Sequence, residues 1–405
     1  MRPDASRADE DCVDLTAGLA GLSAPLQIAG ATLRNRFVVP SMQRGITSDH
    51  GAPPPELADY YGRFADGGFA LVMSESCAID HPSASAKTTC VRLNRQTETA
   101  WRRCVDSVRR AGAHMFIQLW HEGGLRLAPD AGDRHADDLT LSPSGLAGPG
   151  EPAGREMTVA DFEDVKAGYV DAARRAQEIG ASGIELHAGH GFLLDQFLWS
   201  ETNQRPDRYG GSMANRVRFP SEIVQAIREA TDREFAISLR FSQWKGNHGR
   251  KPARDQDAPS RIADTPDELG IMLSALRQAG VDVFHASTRT FDKPEWEDNA
   301  LSLAAWTRKL GDAPVIGVGS VGTGLDVIKT LYEGLDIDAS RKQRVMRESL
   351  SRLARQFAEG AFDLIAVGRS SIGDQQWVNK IATGRFDEIT MFDRAMLQSI
   401  VSGIR

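Results

Sequence analysis

The feature that most constrains this chain is an alternation. Eight short runs rich in Val, Ile, Leu and Phe recur at 36–40 (RFVVP), 69–73 (FALVM), 115–119 (MFIQL) and 183–187 (GIELH), then at 235–240 (FAISLR), 281–285 (VDVFH), 315–319 (VIGVG) and 363–368 (DLIAVG). Several are unbroken apolar runs, which suits parallel strands buried on both faces. Helix-length segments separate them. Within 160–179, Val165, Ala172, Ala176 and Ile179 are spaced to share one helical face. Thr265, followed by Pro266 and Glu268, reads as an N-cap with proline at the first helical position. Gly112, Gly180 and Gly280 each stand where a helix should stop before a strand, and glycine supplies the left-handed conformation such a stop uses. Eight strands alternating with helices predict an α/β fold of the (β/α)8 TIM-barrel type, a single domain with loop insertions. An open Rossmann-like sheet is the rival, weakened because no GxGxxG turn follows the first strand.

A minimal barrel needs about 250 residues, and the chain has 405. The barrel is expected over 25–390. A flexible leader over 1–24 and a tail over 391–405 take up part of the surplus. Long loops over 123–156 (a lid or access loop) and 245–264, with extra helix over 329–356, account for the rest. Hydrophobic residues at 41% and charged residues at 25% are ordinary for a globular protein. A net charge of −7 argues against nucleic acid as a partner, and no apolar run is long enough to span a bilayer. Four cysteines, at 12, 77, 90 and 104, form no CxxC pair. That spacing speaks against a zinc ribbon, an iron–sulfur cluster or a disulfide framework, so a reduced, cytoplasmic protein is expected.

In a barrel the reacting groups lie at the C-terminal strand ends and just beyond. The candidates are Pro40, Ser41, Met42 and Gln43 after the first strand, Ser74 to Ser76 after the second, and Gln118 to His121 on the third. His187 to His190, Arg240, and His285 to Ser287 follow, then Gly319 with Ser320 and Gly368 with Arg369. Glycine-bearing turns after strands seven and eight fit a phosphate group, or merely turn strand into helix. His121, His187 and His190 should face the mouth from adjacent strands. Three imidazoles could bind a metal, could donate hydrogen bonds to a substrate carbonyl, or could be structural. Metal is disfavoured because strand one offers no His or Asp and strand six no acidic partner. A Schiff-base mechanism is disfavoured because no strand is expected to end in lysine, Lys245 lying beyond strand five.

At these residues the chain resembles the NADH:flavin oxidoreductase / Old Yellow Enzyme family. The resemblance runs from about Pro25 to Ile381 and is strongest in HAGHGFLLDQF (187–197) and NQRPDRYGGS (203–212), followed by Asn215 and Arg216. It implies FMN across the barrel mouth, with NADPH or NADH as reductant and no metal. The flavin ring would rest on Pro40, Ser41, Met42 and Gln43. Gln118 would meet its pyrimidine edge, Arg240 its N1 region and Ser76 a backbone-contact position. Gly319, Ser320, Gly368 and Arg369 would form the phosphate turns. His187 and His190 would hold the carbonyl oxygen of an α,β-unsaturated substrate, where negative charge develops. Trp120 and His121 would shape the pocket. A small-molecule substrate is implied, and a homo-oligomer is compatible.

Two positions depart from the family pattern. Where a tyrosine usually protonates the substrate, two residues after the second histidine, this chain has Phe192, which has no proton to give. Either water or another group supplies the proton, or the acceptor needs none from here (a quinone or nitro group), or the reaction differs, desaturation included. A non-catalytic flavin-binding barrel and a metal-dependent barrel are the further alternatives. Gln43 replaces the usual Thr or Cys and should alter the flavin's potential. With no cysteine after Cys104 and Arg405 as the last residue, the iron–sulfur and second flavin domains of a larger family branch are not expected.

Overall fold

The computed structural model describes residues 15–126, 139–245, 260–297, 299–324 and 338–397. Eight parallel strands form its centre: β1 (Phe37–Val39), β2 (Leu71–Met73), β3 (His114–Trp120), β4 (Gly183–His190), β5 (Ala236–Lys245), β6 (Val283–Ser287), β7 (Val315–Val318) and β8 (Leu364–Ala366). Each pairs in parallel with the next, and β8 pairs with β1, so the sheet closes on itself. All eight lie where the apolar runs predict them, and the closed sheet is a TIM barrel.

Helices α1 (Pro55–Asp66), α2 (Glu98–Arg110), α3 (Val159–Glu178), α4 (Arg218–Ala230), α5 (Pro266–Ala279), α6 (Leu303–Leu310), α7 (Ala339–Ala358) and α8 (Trp377–Ala382) follow the strands in turn. Their ends have local causes. The Thr158 hydroxyl accepts the Asp161 N–H while Asp161 accepts the Thr158 N–H, a reciprocal cap that starts α3. Thr265 caps α5 with Pro266 in its first turn. Gly112, Gly180 and Gly280 all take positive φ where α2, α3 and α5 stop.

The lower barrel interior is apolar. Val38, Leu71, Met73, Phe116, Ala236, Val283, Ile316, Leu364 and Ala366 pack there with Ile28, Ala31 and Leu33. Those last three come from an antiparallel hairpin, Leu26–Ile28 with Ala31–Leu33, which closes the N-terminal end. Gly183 has no side chain because Phe116 occupies the place. A Cβ there would lie 2.5 Å from the Ala236 carbonyl and 2.9 Å from the Phe116 ring.

Several expectations need correction. Residues 15–23 are helical and not a loose leader, because Leu15, Leu19 and Leu22 are buried against α7 and α8. The tail begins packed, with Phe392 buried. The described part of the extra helix is α7, which opens at an Asp338 N-cap. β5 runs through Lys245, so one strand does end in lysine. The expected leader, long loops, extra helix and tail also include 1–14, 127–138, 246–259, 329–337 and 398–405, which lie outside the described residues.

Candidate active site at the barrel mouth

Two residues above the apolar layer, each of four adjacent strands turns polar. Gln118 of β3, Glu185 of β4, Ser238 of β5 and His285 of β6 are all fully buried. Glu185 binds the other three. Its Oε1 accepts from Gln118 Nε2 at 2.8 Å, and its Oε2 accepts from the Ser238 hydroxyl at 3.1 Å and meets His285 Nδ1 at 2.7 Å. Burial alone would raise the Glu185 carboxyl. His285, Arg240 and Gln118 outweigh that and hold it down at about 2. Sequence reading gave strand six no acidic partner; the structure supplies one from β4, a hundred residues away.

Above this layer the barrel opens. Gln118 Oε1 accepts from the hydroxyls of Ser41 (2.8 Å) and Ser76 (2.7 Å), which stand just past β1 and β2. Arg240 projects from β5 beside them and is half-buried. Its guanidinium reaches the Ser41 carbonyl at 3.4 Å and the Ser287 hydroxyl at 3.2 Å, and its buried Nε has no partner. A guanidinium carries five N–H donors, so Arg240 keeps donors uncommitted. Burial lowers its pKa and Glu185 opposes that shift.

His187 and His190 are brought together at the end of β4, their rings perpendicular and 5.1 Å apart. A register shift between Ala188 and His190 lets both reach the mouth. His190 takes φ +62°, a conformation costly for a side-chain-bearing residue. The turn is pinned on both sides. The His190 N–H donates to the Ser242 hydroxyl at 2.9 Å, and the Gly191 N–H donates to Asp195 Oδ2 at 2.7 Å. Asp195 is fully buried and pairs through Oδ1 with Lys245 Nζ at 2.8 Å. Burial pushes Asp195 up and Lys245 down, and each partner opposes the other's shift. Lys245 is therefore committed to a carboxylate. His190 Nε2 also lies 3.0 Å from Ser287 Oγ, the hydroxyl that Arg240 reaches.

Aromatic rings line the same region. Phe192 packs edge-on against His187 (4.8 Å) and Trp120 (5.1 Å), and Trp244 lies 4.4 Å from His190. His121 does not join them as a pocket donor. It is buried, its Nδ1 accepts the Gly123 N–H at 2.9 Å, and its Nε2 lies 2.8 Å from Ser83 Oγ. Burial drops its pKa to about 3. Strand parity explains this: Gln118 and Trp120 share the inner face, so His121 falls on the other. Among the described residues no three His, Cys, Asp or Glu side chains are grouped to hold a metal ion.

The turns after β7 and β8 face each other. Gly319 has φ +144°, and a Cβ there would lie 2.7 Å from the Thr288 carbonyl. Ser320 has φ +53°, and its Oγ donates to the Arg289 carbonyl and accepts from Arg369 at 2.8 Å. The position of a Cβ on Gly368 lies 3.6 Å from both Pro40 and Met42, so the β8 turn and the segment after β1 share one surface. Gln43 is exposed beside it. Glu185, Ser238, Asp195 and Lys245 are site residues that the sequence reading did not assign, and His285 and Ser287, candidates at the end of strand six, were given no role. Inner-face parity along β5 could have found Ser238. No local signal pairs Glu185 with His285.

Comparison with known proteins bears on the fold and the family. The profile of the NADH:flavin oxidoreductase / NADH oxidase family matches residues 21–334. An NADH oxidase of Thermoanaerobacter brockii is 30% identical over 372 residues, covering 90% of this chain and 51% of that protein. This chain thus spans about half the length of that relative. A protein of Epichloe festucae var. lolii named probable inactive reductase easA is 31% identical over 279 residues, 68% of this chain and 70% of its own. Old Yellow Enzyme from Pichia sp. AKU4542 superposes with a TM-score of 0.72 at 22% identity, covering 93% of this chain and 90% of that one. With its eight-stranded barrel and polar mouth, the chain belongs to the NADH:flavin oxidoreductase / NADH oxidase family, whose members use FMN and a nicotinamide reductant.

Proposed function

We propose that this protein reduces an activated alkene, an α,β-unsaturated carbonyl compound, with NADPH or NADH through bound FMN. The observation that carries the reading is the pairing, at one mouth, of two histidines 5.1 Å apart with an arginine holding uncommitted donors. FMN, when bound, would supply hydride transfer between the nicotinamide and the alkene. Around it, Gln118, Ser41 and Ser76 offer hydrogen-bonding groups to the pyrimidine edge. Arg240 offsets the negative charge that gathers there on reduction. Gly319, Ser320, Gly368 and Arg369 receive the phosphate, and Pro40, Met42 and Gln43 meet the ring. His187 and His190 direct N–H groups at the substrate oxygen, stabilising the charge that builds as hydride arrives at the far carbon. Trp120 and Phe192 form the apolar wall, and His121 supports it from behind.

Phe192 cannot deliver the proton that completes the reduction after the hydride, so water at the mouth supplies it. A second reading rests on that same residue. A quinone or nitro acceptor, the reverse desaturation, or a flavin-binding role without turnover would each dispense with a donor at 192. A relative named probable inactive reductase keeps the last of these in play. Buried, unpaired Cys77, Cys90 and Cys104 accord with a cytoplasmic setting. No helix among the described residues is long and apolar enough to cross a membrane.

An anaerobic visible spectrum is the test. A flavin band that bleaches with NADPH and returns with a cyclic enone supports alkene reduction. Return only with a quinone or oxygen removes the enone proposal and keeps the flavin enzyme. A band that never bleaches with NADPH or NADH favours the binding role.

A further inference from the structure

The Glu185 cluster has no role in holding the barrel that apolar residues could not fill more cheaply. Burying a carboxylate costs several kcal/mol unless it is paired and hydrogen-bonded. Each of the other strands β3, β5 and β6 contributes one polar side chain to that carboxylate. The carboxylate lies beside Gln118, in register with it on the neighbouring strand, and the other end of that glutamine reaches Ser41 and Ser76 at the mouth. Its chemistry acts on one degree of freedom, the direction of the Gln118 amide.

A glutamine amide has an accepting end and a donating end of nearly the same shape. Without a constraint it can turn over. An ionised carboxylate accepts only, so Glu185 binds the NH2 end and repels the oxygen. With Oε1 of Glu185 2.8 Å from Gln118 Nε2, the amide oxygen is left facing the serines. His285 and Ser238 hold the second carboxylate oxygen, which fixes the carboxylate plane and leaves it one acceptor for Gln118. The serine hydroxyls are rotors that can yield the amide oxygen to a stronger donor.

We infer that Glu185, braced by His285 and Ser238, is a positioning residue that locks the Gln118 amide with its oxygen toward the mouth and so selects a ligand edge bearing an imide N–H. The inference rests on FMN as the ligand of this mouth. It adds that recognition of the flavin N3–H depends on the carboxylate registered beside Gln118 on the neighbouring strand. Glu185 itself does not touch the flavin.

The test compares FMN with its N3-methyl analogue, which lacks that N–H, by titrating flavin-free protein and following fluorescence quenching. Wild-type protein should prefer FMN by about tenfold or more, the worth of one hydrogen bond of this kind. E185Q can turn its own amide and release Gln118. Its preference should fall below about threefold, with FMN binding about tenfold weaker. E185D keeps the charge and shortens its reach by one methylene. It should lose the preference as E185Q does if position is the cause, whereas retention would mean that charge alone matters and would overturn the inference. A full preference kept by E185Q, or no preference in wild type that binds FMN, also overturns it. Failure of wild-type protein to bind FMN at all would instead remove the cofactor reading.

A measurement on unaltered holoprotein does not depend on the variants folding. With glutamine side chains labelled in 15N, the Gln118 NH2 signal (identified by its loss in Q118E) should show one downfield proton protected from exchange. Two protons exchanging like those of an exposed glutamine would sink the proposal.

Discussion

The barrel interior has two floors, built on the same strands two residues apart. On β3 the step is from Phe116 to Gln118, on β5 from Ala236 to Ser238, and on β6 from Val283 to His285. Both floors are fully buried, yet they are specified differently. The lower floor is held by area and volume, which are non-directional, so any set of side chains that fills the space would serve. The upper floor is held by matched donors and acceptors, where removing one member strands another. The difference teaches that burial by itself does not distinguish core from site; what matters is whether a buried group has a replaceable neighbour.

The largest expected effect should come from the lower floor. Phe116→Ala leaves a cavity among Gly183, Ala236 and the hairpin, and should cost about 3–5 kcal/mol in chemical denaturation. Per folded molecule, its preference between FMN and the N3-methyl analogue should stay as in wild type. A changed preference would show that the floors are coupled. At the mouth just above the upper floor, Arg240→Met should do the reverse. It removes a charged donor set facing the mouth and should weaken FMN binding about 100-fold, the scale of one to two charge-assisted hydrogen bonds. Binding within threefold of wild type would make Arg240 an internal strut and erase the distinction at that position.

A smaller effect tests whether buried polar groups near the mouth titrate. His121 stays neutral in the fold because burial penalises its charged form, and its Nδ1 accepts the Gly123 N–H. Its folded pKa of about 3 lies far below the ordinary value of 6.5. Between those values the unfolded chain takes up a proton that the folded chain does not. Stability therefore falls as pH drops below about 6.5, by at most about 1.4 kcal/mol per pH unit. Denaturation of wild type and His121→Gln from pH 7.5 to 4.5 should show curves that converge on acidification. Parallel curves would mean that the folded His121 ring takes up its proton over the same pH range as the unfolded one.

Much of this was legible in advance because it is local. Strand runs, the Thr265 cap and glycine stops depend on neighbours in sequence, and the eight strands fell where the runs placed them. The residues at strand ends were found because a barrel puts chemistry there. What could not be read is long-range. Glu185 in GIELH looks like a polar residue in a buried strand, and only register brings His285 of β6 to it. Lys245 looked like loop because its partner Asp195, which lets it end a buried strand, lies fifty residues earlier. His121 was misplaced for a different reason. Counting histidines near strand ends ignored the alternation of faces, which from Gln118 puts Trp120 inward and His121 outward.

The smallest effect should fall where the two functions of the mouth above the upper floor meet. Ser287 Oγ touches Arg240 on one side and His190 on the other. Arg240 can only donate, so it occupies a lone pair of that oxygen. The hydroxyl proton is then free to go to His190 Nε2, which places the ring's own proton on Nδ1. Ser287→Ala removes the link while leaving both neighbours partly open to water that can replace it. The expected loss is about 1 kcal/mol, read as about a fivefold fall in kcat/KM for an enone, with FMN affinity changed less than twofold. Equal losses in both would assign Ser287 to the flavin alone, and no loss in either would make it packing. A selective loss would show that the arginine serving the flavin and the histidine serving the substrate are joined through one hydroxyl, a coupling for which the apolar floor has no counterpart.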